Sequence, residues 1–130
     1  MKAVRKLGVL LILTCILIVS TGMTVVHANE MRSVSIYSKS ATLTIASDGT
    51  ATVKASVMGK VGVTSTSVVA TLQRETSSGW DDVVTWEASN ASRRTTISET
   101  YQVSRGTYRV VATVTADSES MTVTSTTETY

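Results

Sequence analysis

Apolar and polar residues alternate along most of this chain with a period of two. In Gly106–Thr115, Tyr108, Val110, Ala112 and Val114 fall on one side of an extended backbone, and Arg109, Val111, Thr113 and Thr115 fall on the other. The pattern recurs in Ala41–Ala46 with Leu43 and Ile45, in Ala51–Val57, and in Thr66–Glu75 with Val68, Ala70 and Leu72. Trp80–Ala88 places Trp80, Val84 and Trp86 on one face and Asp81, Val83, Thr85 and Glu87 on the other. Arg94–Val103 has Ile97, Tyr101 and Val103 in phase, and Met121–Thr129 supplies a closing strand. No stretch after residue 28 carries an apolar period of 3.6. About seven short strands, with turn signals roughly every 8–12 residues, predict an all-β fold: an antiparallel two-sheet sandwich.

Turn chemistry refines the pattern. Asp48-Gly49 predicts a hairpin. A two-residue loop would set Ile45 opposite Thr52 and mix the faces. A three-residue loop with Gly49 left-handed sets Ile45 opposite Ala51 and Leu43 opposite Val53, so the longer loop is expected. Gly106 is read as a sharp turn ahead of the Tyr108 strand. Thr76–Gly79 and Asp117–Ser120 are further turns. Glu99 shares the phase of Ile97 and Tyr101, which predicts a bulge or a strand end beside it.

The N-terminus has a different character. Lys2, Arg5 and Lys6 precede an apolar run over Leu7–Val19, and Val26-His27-Ala28 offers short residues at a cleavage site. Residues 1–28 read as a secretory signal peptide, followed by a lead-in over 29–40 and a β-sandwich domain over 41–130. The rival reading is an uncleaved anchor, since Leu7–Val26 is 20 residues long. Thr14 before Cys15 and the apolar residues after it argue against a lipidated cysteine. The expected localisation is secreted, with membrane contact only through the leader.

Removing the leader changes the charge. Lys2, Arg5 and Lys6 leave with it, so nine basic residues face ten acidic ones and the net charge passes from +2 to −1. That balance gives no reason to expect nucleic acid as a partner. The only Cys and the only His leave too, so an exported domain must hold together by packing without a disulfide. Ser and Thr make up 37 of the last 102 residues. They alternate with Val, Leu and Ile, and the chain has no Pro, which fits a half-buried sheet rather than a stalk.

Candidate chemistry is sparse. Without His or Cys after residue 28 there is no Ser-His-Asp triad, thiol nucleophile or ordinary zinc set, and no phosphate loop appears. The chain is expected to be non-enzymatic and to need no cofactor or metal. Asp81-Asp82 point to opposite faces of a strand. Asp117 and Glu119 share a phase beside a turn, where a calcium ion or a glycosidase pair could use them, but a solvated turn is the preferred reading. Trp80 and Trp86 offer a sugar-stacking row if exposed, or core filling if buried. Arg93-Arg94 in the polar loop after the Trp strand would suit an acidic partner, or simply be solvated. Tyr108 is read as structural, its hydroxyl tying down the adjacent loop. Tyr37 and Tyr130 read as surface residues near the chain ends.

The Asp48-Gly49 hairpin, Trp80 and Trp86, and Val103 followed by Gly106-Thr107-Tyr108-Arg109-Val110 resemble immunoglobulin-like and fibronectin-III-like domains, in which such a tyrosine forms the tyrosine corner. Val110 stands where the second immunoglobulin cysteine would follow. The chain is similar to short, secreted single-domain proteins of Gram-positive bacteria whose function is uncharacterised. The resemblance implies a fold and brings no functional residue with it. A module binding an extracellular protein is therefore the first expectation. A carbohydrate-binding module using Trp80 and Trp86, or a surface subunit that assembles by edge strands, is the alternative.

Overall fold

The Asp48-Gly49 hairpin forms in the longer of its two registers. In the computed structural model, which describes residues 34–130, strand β1 (Ile36–Ile45) pairs antiparallel with β2 (Thr50–Gly59), Ile45 opposite Ala51 and Leu43 opposite Val53. Gly49 has φ +88°, and the Thr50 N–H donates to Asp48 Oδ1 at 3.0 Å, which closes the loop. The leader read in residues 1–28 and the start of the lead-in lie outside the described residues.

β1 begins at Ile36, five residues before the alternating run at Ala41. Ile36 is buried at 4% exposure, and its N–H and those of Val34 and Ser35 donate to the Glu119 carboxylate. β3 (Thr66–Thr76) and β4 (Gly79–Asn90) form the next hairpin, and β5 (Arg94–Gln102) returns to pair with β2. β6 (Thr107–Ala116) pairs with β3, and β7 (Glu119–Thr124) and β8 (Glu128–Thr129) pair with β6. All pairings are antiparallel. One sheet has the order β1-β2-β5 and the other β4-β3-β6-β7, with β8 continuing the β7 edge.

The inward residues of the two sheets meet in one core. Val53, Val68, Ala70, Leu72, Val110, Ala112 and Val114 are fully buried. Burying a Val or Leu side chain contributes about 1.5–3 kcal/mol, so these small residues close two layers without a disulfide. The outward faces carry rows of hydroxyls, such as Ser40 on Ser56 at 2.8 Å and Thr71 on Thr85 at 2.9 Å. That is how a chain so rich in Ser and Thr folds as a sheet protein.

Three local expectations are corrected. No bulge interrupts β5 at Glu99: pairing with β2 is regular from Arg94 to Gln102, and Glu99 reaches solvent because β5 is an edge strand. The closing strand is split at Ser125, whose N–H still donates to Val110 O at 2.8 Å while its hydroxyl, in place of its carbonyl, accepts the Val110 N–H at 2.8 Å. Gly106 lies outside the left-handed region; a Cβ there would fall 2.8 Å from Arg74 Nε, so a larger residue would displace the Arg74 side chain.

Each sheet edge carries a feature that discourages pairing with another chain. Lys39 on β1 and Glu99 on β5 occupy inward-phase positions, opposite buried Val57 and Val53. β4 has a bulge and the acidic pair Asp81-Asp82. β7 is only six residues long and ends at the Ser125 break.

Candidate functional site

The bulge in β4 decides where the two tryptophans go. Leu72 pairs with Val84 but Gln73 pairs with Asp82, so Val83 is an extra residue and the strand slips by one position there. Trp86, opposite buried Ala70, stays on the inner phase and packs at the margin of the core. Its ring meets Tyr101 of β5 edge-to-face, centroids 6.3 Å apart and planes at 76°, where the two sheets part. Trp80, opposite Glu75, falls on the outer face. The expectation that Trp80 shares a face with Val84 and Trp86 is therefore overturned, and the pair forms no single stacking row.

Trp80 does not stand alone on that face. The Arg109 guanidinium of β6 lies 4.1 Å from its ring centroid. Arg109 Nε donates to Gln73 Oε1 at 2.8 Å, and Gln73 Nε2 donates to Asp82 Oδ1 at 2.9 Å. One carboxamide on β3 thus clamps a carboxylate from β4 and a guanidinium from β6. The register produces this, since Asp82, Gln73 and Arg109 form one cross-strand row. A cation over an indole contributes about 0.5–2 kcal/mol. Fixing Arg109 in advance also removes much of the roughly 2 kcal/mol of rotamer entropy that an arginine would lose on binding.

The other candidates are structural in their contacts. Arg93 Nε donates to Gly59 O at 3.2 Å and fastens the β4–β5 loop to the end of β2. Arg94 is exposed at the start of β5. The Tyr108 hydroxyl, with the residue 2% exposed, donates to Ser104 O at 2.8 Å. Tyr37 is 70% exposed. Tyr130 is half-buried, with Arg105 over its ring at 4.5 Å and its edge 2.8 Å from where a Gly49 Cβ would stand.

Asp117 and Glu119 are drawn to different partners. Asp117 Oδ1 accepts the N–H groups of Thr64 and Ser65, both at 3.1 Å, and both hydroxyls. Those backbone donors, Thr64 first, hold its carboxyl below the ordinary aspartate value. Asp48 is likewise held low by the Thr50 N–H. Among the described residues no group of three or more His, Cys, Asp and Glu is placed to hold a metal ion. Two shallow depressions at the far end of β3 and β4, around Ser67 and Ser89, contain one carboxylate each, Asp117 and Glu87.

The Trp80–Arg109–Gln73–Asp82 cluster could not have been named from the sequence, since it depends on the Val83 slip and on β3 lying between β4 and β6. The available signal was Arg109 on the outward phase of the best-defined strand. No protein-family model matches the chain, and no curated protein matches it significantly.

Proposed function

We propose that the chain is an exported, non-enzymatic binding module with an immunoglobulin- or fibronectin-III-like sandwich, and that it binds its extracellular target through the outer face of the β4-β3-β6-β7 sheet. The sheet orders β1-β2-β5 and β4-β3-β6-β7, with chain crossings after β2, β4 and β5, support the fold reading. The apolar leader in the sequence supports export.

A single observation carries the binding face: Trp80 is outside the core and stacked with Arg109. Large aromatic and arginine side chains set rigidly on an open sheet face are what binding hot spots are made of. The guarded edges favour this reading over assembly by strand addition.

The test is attachment of the labelled full chain to the surface of the cells that produce it. Trp80→Ala and Arg109→Ala are expected to lower attachment at least tenfold, while Lys54→Ala on the opposite sheet leaves it unchanged. Attachment unaffected by both face variants would overturn the proposal.

A further inference from the structure

We infer that the Trp80–Arg109–Gln73–Asp82 cluster recognises a neutral sugar, taking two neighbouring hydroxyls of one ring. The inference rests on the binding-face reading above and names the ligand class for it. Arg109 spends Nε on Gln73, and among the described residues no acceptor engages Nη1 or Nη2, so its outer donors are held in place and open. Asp82 gives Oδ1 to Gln73 and keeps Oδ2 as an acceptor. One donor and one acceptor, separated by a single carboxamide, match a vicinal diol: one oxygen accepts from the guanidinium while the neighbouring O–H donates to the carboxylate. Sugar rings also have C–H groups, which the part of the Trp80 indole that Arg109 leaves uncovered can receive.

Charge decides between neutral and anionic ligands. Arg109 shares the outer face with Asp82, with Glu75, the cross-strand partner of Trp80, and with Glu87, so the formal balance is −2. A carboxylated or phosphorylated polymer would meet net repulsion; a neutral glycan meets none. A protein partner would want an apolar centre to its interface. Besides the two outward valines, Val69 and Val111, the flanking positions carry Thr71, Thr85, Thr107 and Thr113, with Thr71–Thr85 and Thr107–Thr129 hydrogen-bonded pairs, so hydroxyls outnumber apolar side chains around the cluster.

The experiment titrates the full chain with hexasaccharides of β-1,4-linked glucose, mannose, xylose and N-acetylglucosamine, and with polygalacturonate and heparin as anionic probes, followed by calorimetry and indole fluorescence. Saturable binding to at least one neutral hexasaccharide is expected. It should weaken at least tenfold in Asp82→Asn and in Arg109→Lys, which keeps the charge but loses the fork, while Trp86→Phe retains it. Circular dichroism of each variant separates loss of binding from loss of fold. Binding of the anionic probes alone, or of none of the sugars, overturns the inference. If sugars fail while Trp80→Ala still abolishes attachment to cells, the binding face stands and its ligand is a protein. If attachment also ignores Trp80, both readings fall.

Discussion

The hydroxyls of Thr66 and Thr95 lie 2.7 Å apart inside the protein, one from each sheet, at 2% and 0% exposure. Each hydroxyl has one proton, so one donates across this contact while the other donates to a carbonyl: Thr66 Oγ1 to Ser92 O, or Thr95 Oγ1 to Thr66 O. In a core otherwise joined by apolar contact, this is a directional tie between the layers, and every buried side-chain polar atom described has a partner. A single change removes the bond between the hydroxyls but leaves the other hydroxyl its carbonyl acceptor, so the loss is that of about one internal hydrogen bond. Thr95→Val should therefore destabilise by about 0.5–1.5 kcal/mol, and Thr66→Val/Thr95→Val by less than the sum of the single changes, because the shared bond is lost only once. Urea unfolding of the three variants measures the coupling; strict additivity would refute it.

Tyr108 makes a second tie. Its hydroxyl reaches Ser104 O at 2.8 Å from a ring packed in the core, so Tyr108→Phe removes one hydrogen bond and almost no apolar contact. The expected loss is about 0.5–1.5 kcal/mol, the net worth of an internal hydrogen bond. Unchanged thermal stability would show that the β5–β6 loop needs no anchor.

Asp117 gives stability a pH dependence of known sign. Its folded carboxyl lies below the ordinary 3.8, because the charged form accepts the Thr64 and Ser65 N–H groups. The contribution is complete above that ordinary value and disappears as pH falls through the lower folded value. Asp117→Asn tests the charge alone, since Asn also tolerates the observed φ of +52°. The melting-temperature gap between wild type and variant should be open at pH 6 and close toward pH 2. A gap of constant size would contradict the assignment.

Much of this architecture was legible in the sequence because core faces constrain register. A one-residue slip between β1 and β2 would have exposed Leu43 and Ile45, so burial alone selected the Ile45–Ala51 pairing. The same reasoning found the buried phase of β3 and β6. It failed at Val83, because a bulge in an edge strand carries no glycine or other marker there, and two adjacent valines suit either face. It also failed at Ser125, where a hydroxyl replaces a backbone group in the ladder. Asp117 and Glu119 looked like a pair because they are close in sequence, yet the connections they hold come from residues more than fifty positions away.

The edge residues make a prediction about assembly. Lys39 and Glu99 keep a charge on the inward phase of the two outer strands of the three-stranded sheet. Glu99→Val and Lys39→Val should convert those strands into regular apolar edges and promote association. Light scattering of the double variant should show dimers or larger species at concentrations where wild type shows fewer. Identical masses would mean that the edges are protected in another way.

The proposed binding face depends on the side of β4 from which Trp80 projects. Nuclear Overhauser contacts from the assigned Trp80 indole test this directly in the full chain. The structure predicts contacts to the Arg109 side chain and to Gln73, and none to the methyl groups of Leu72 or Val110. Contacts to those core methyls would mean that Val83 is not bulged, that Trp80 faces inward, and that the proposed binding face does not exist.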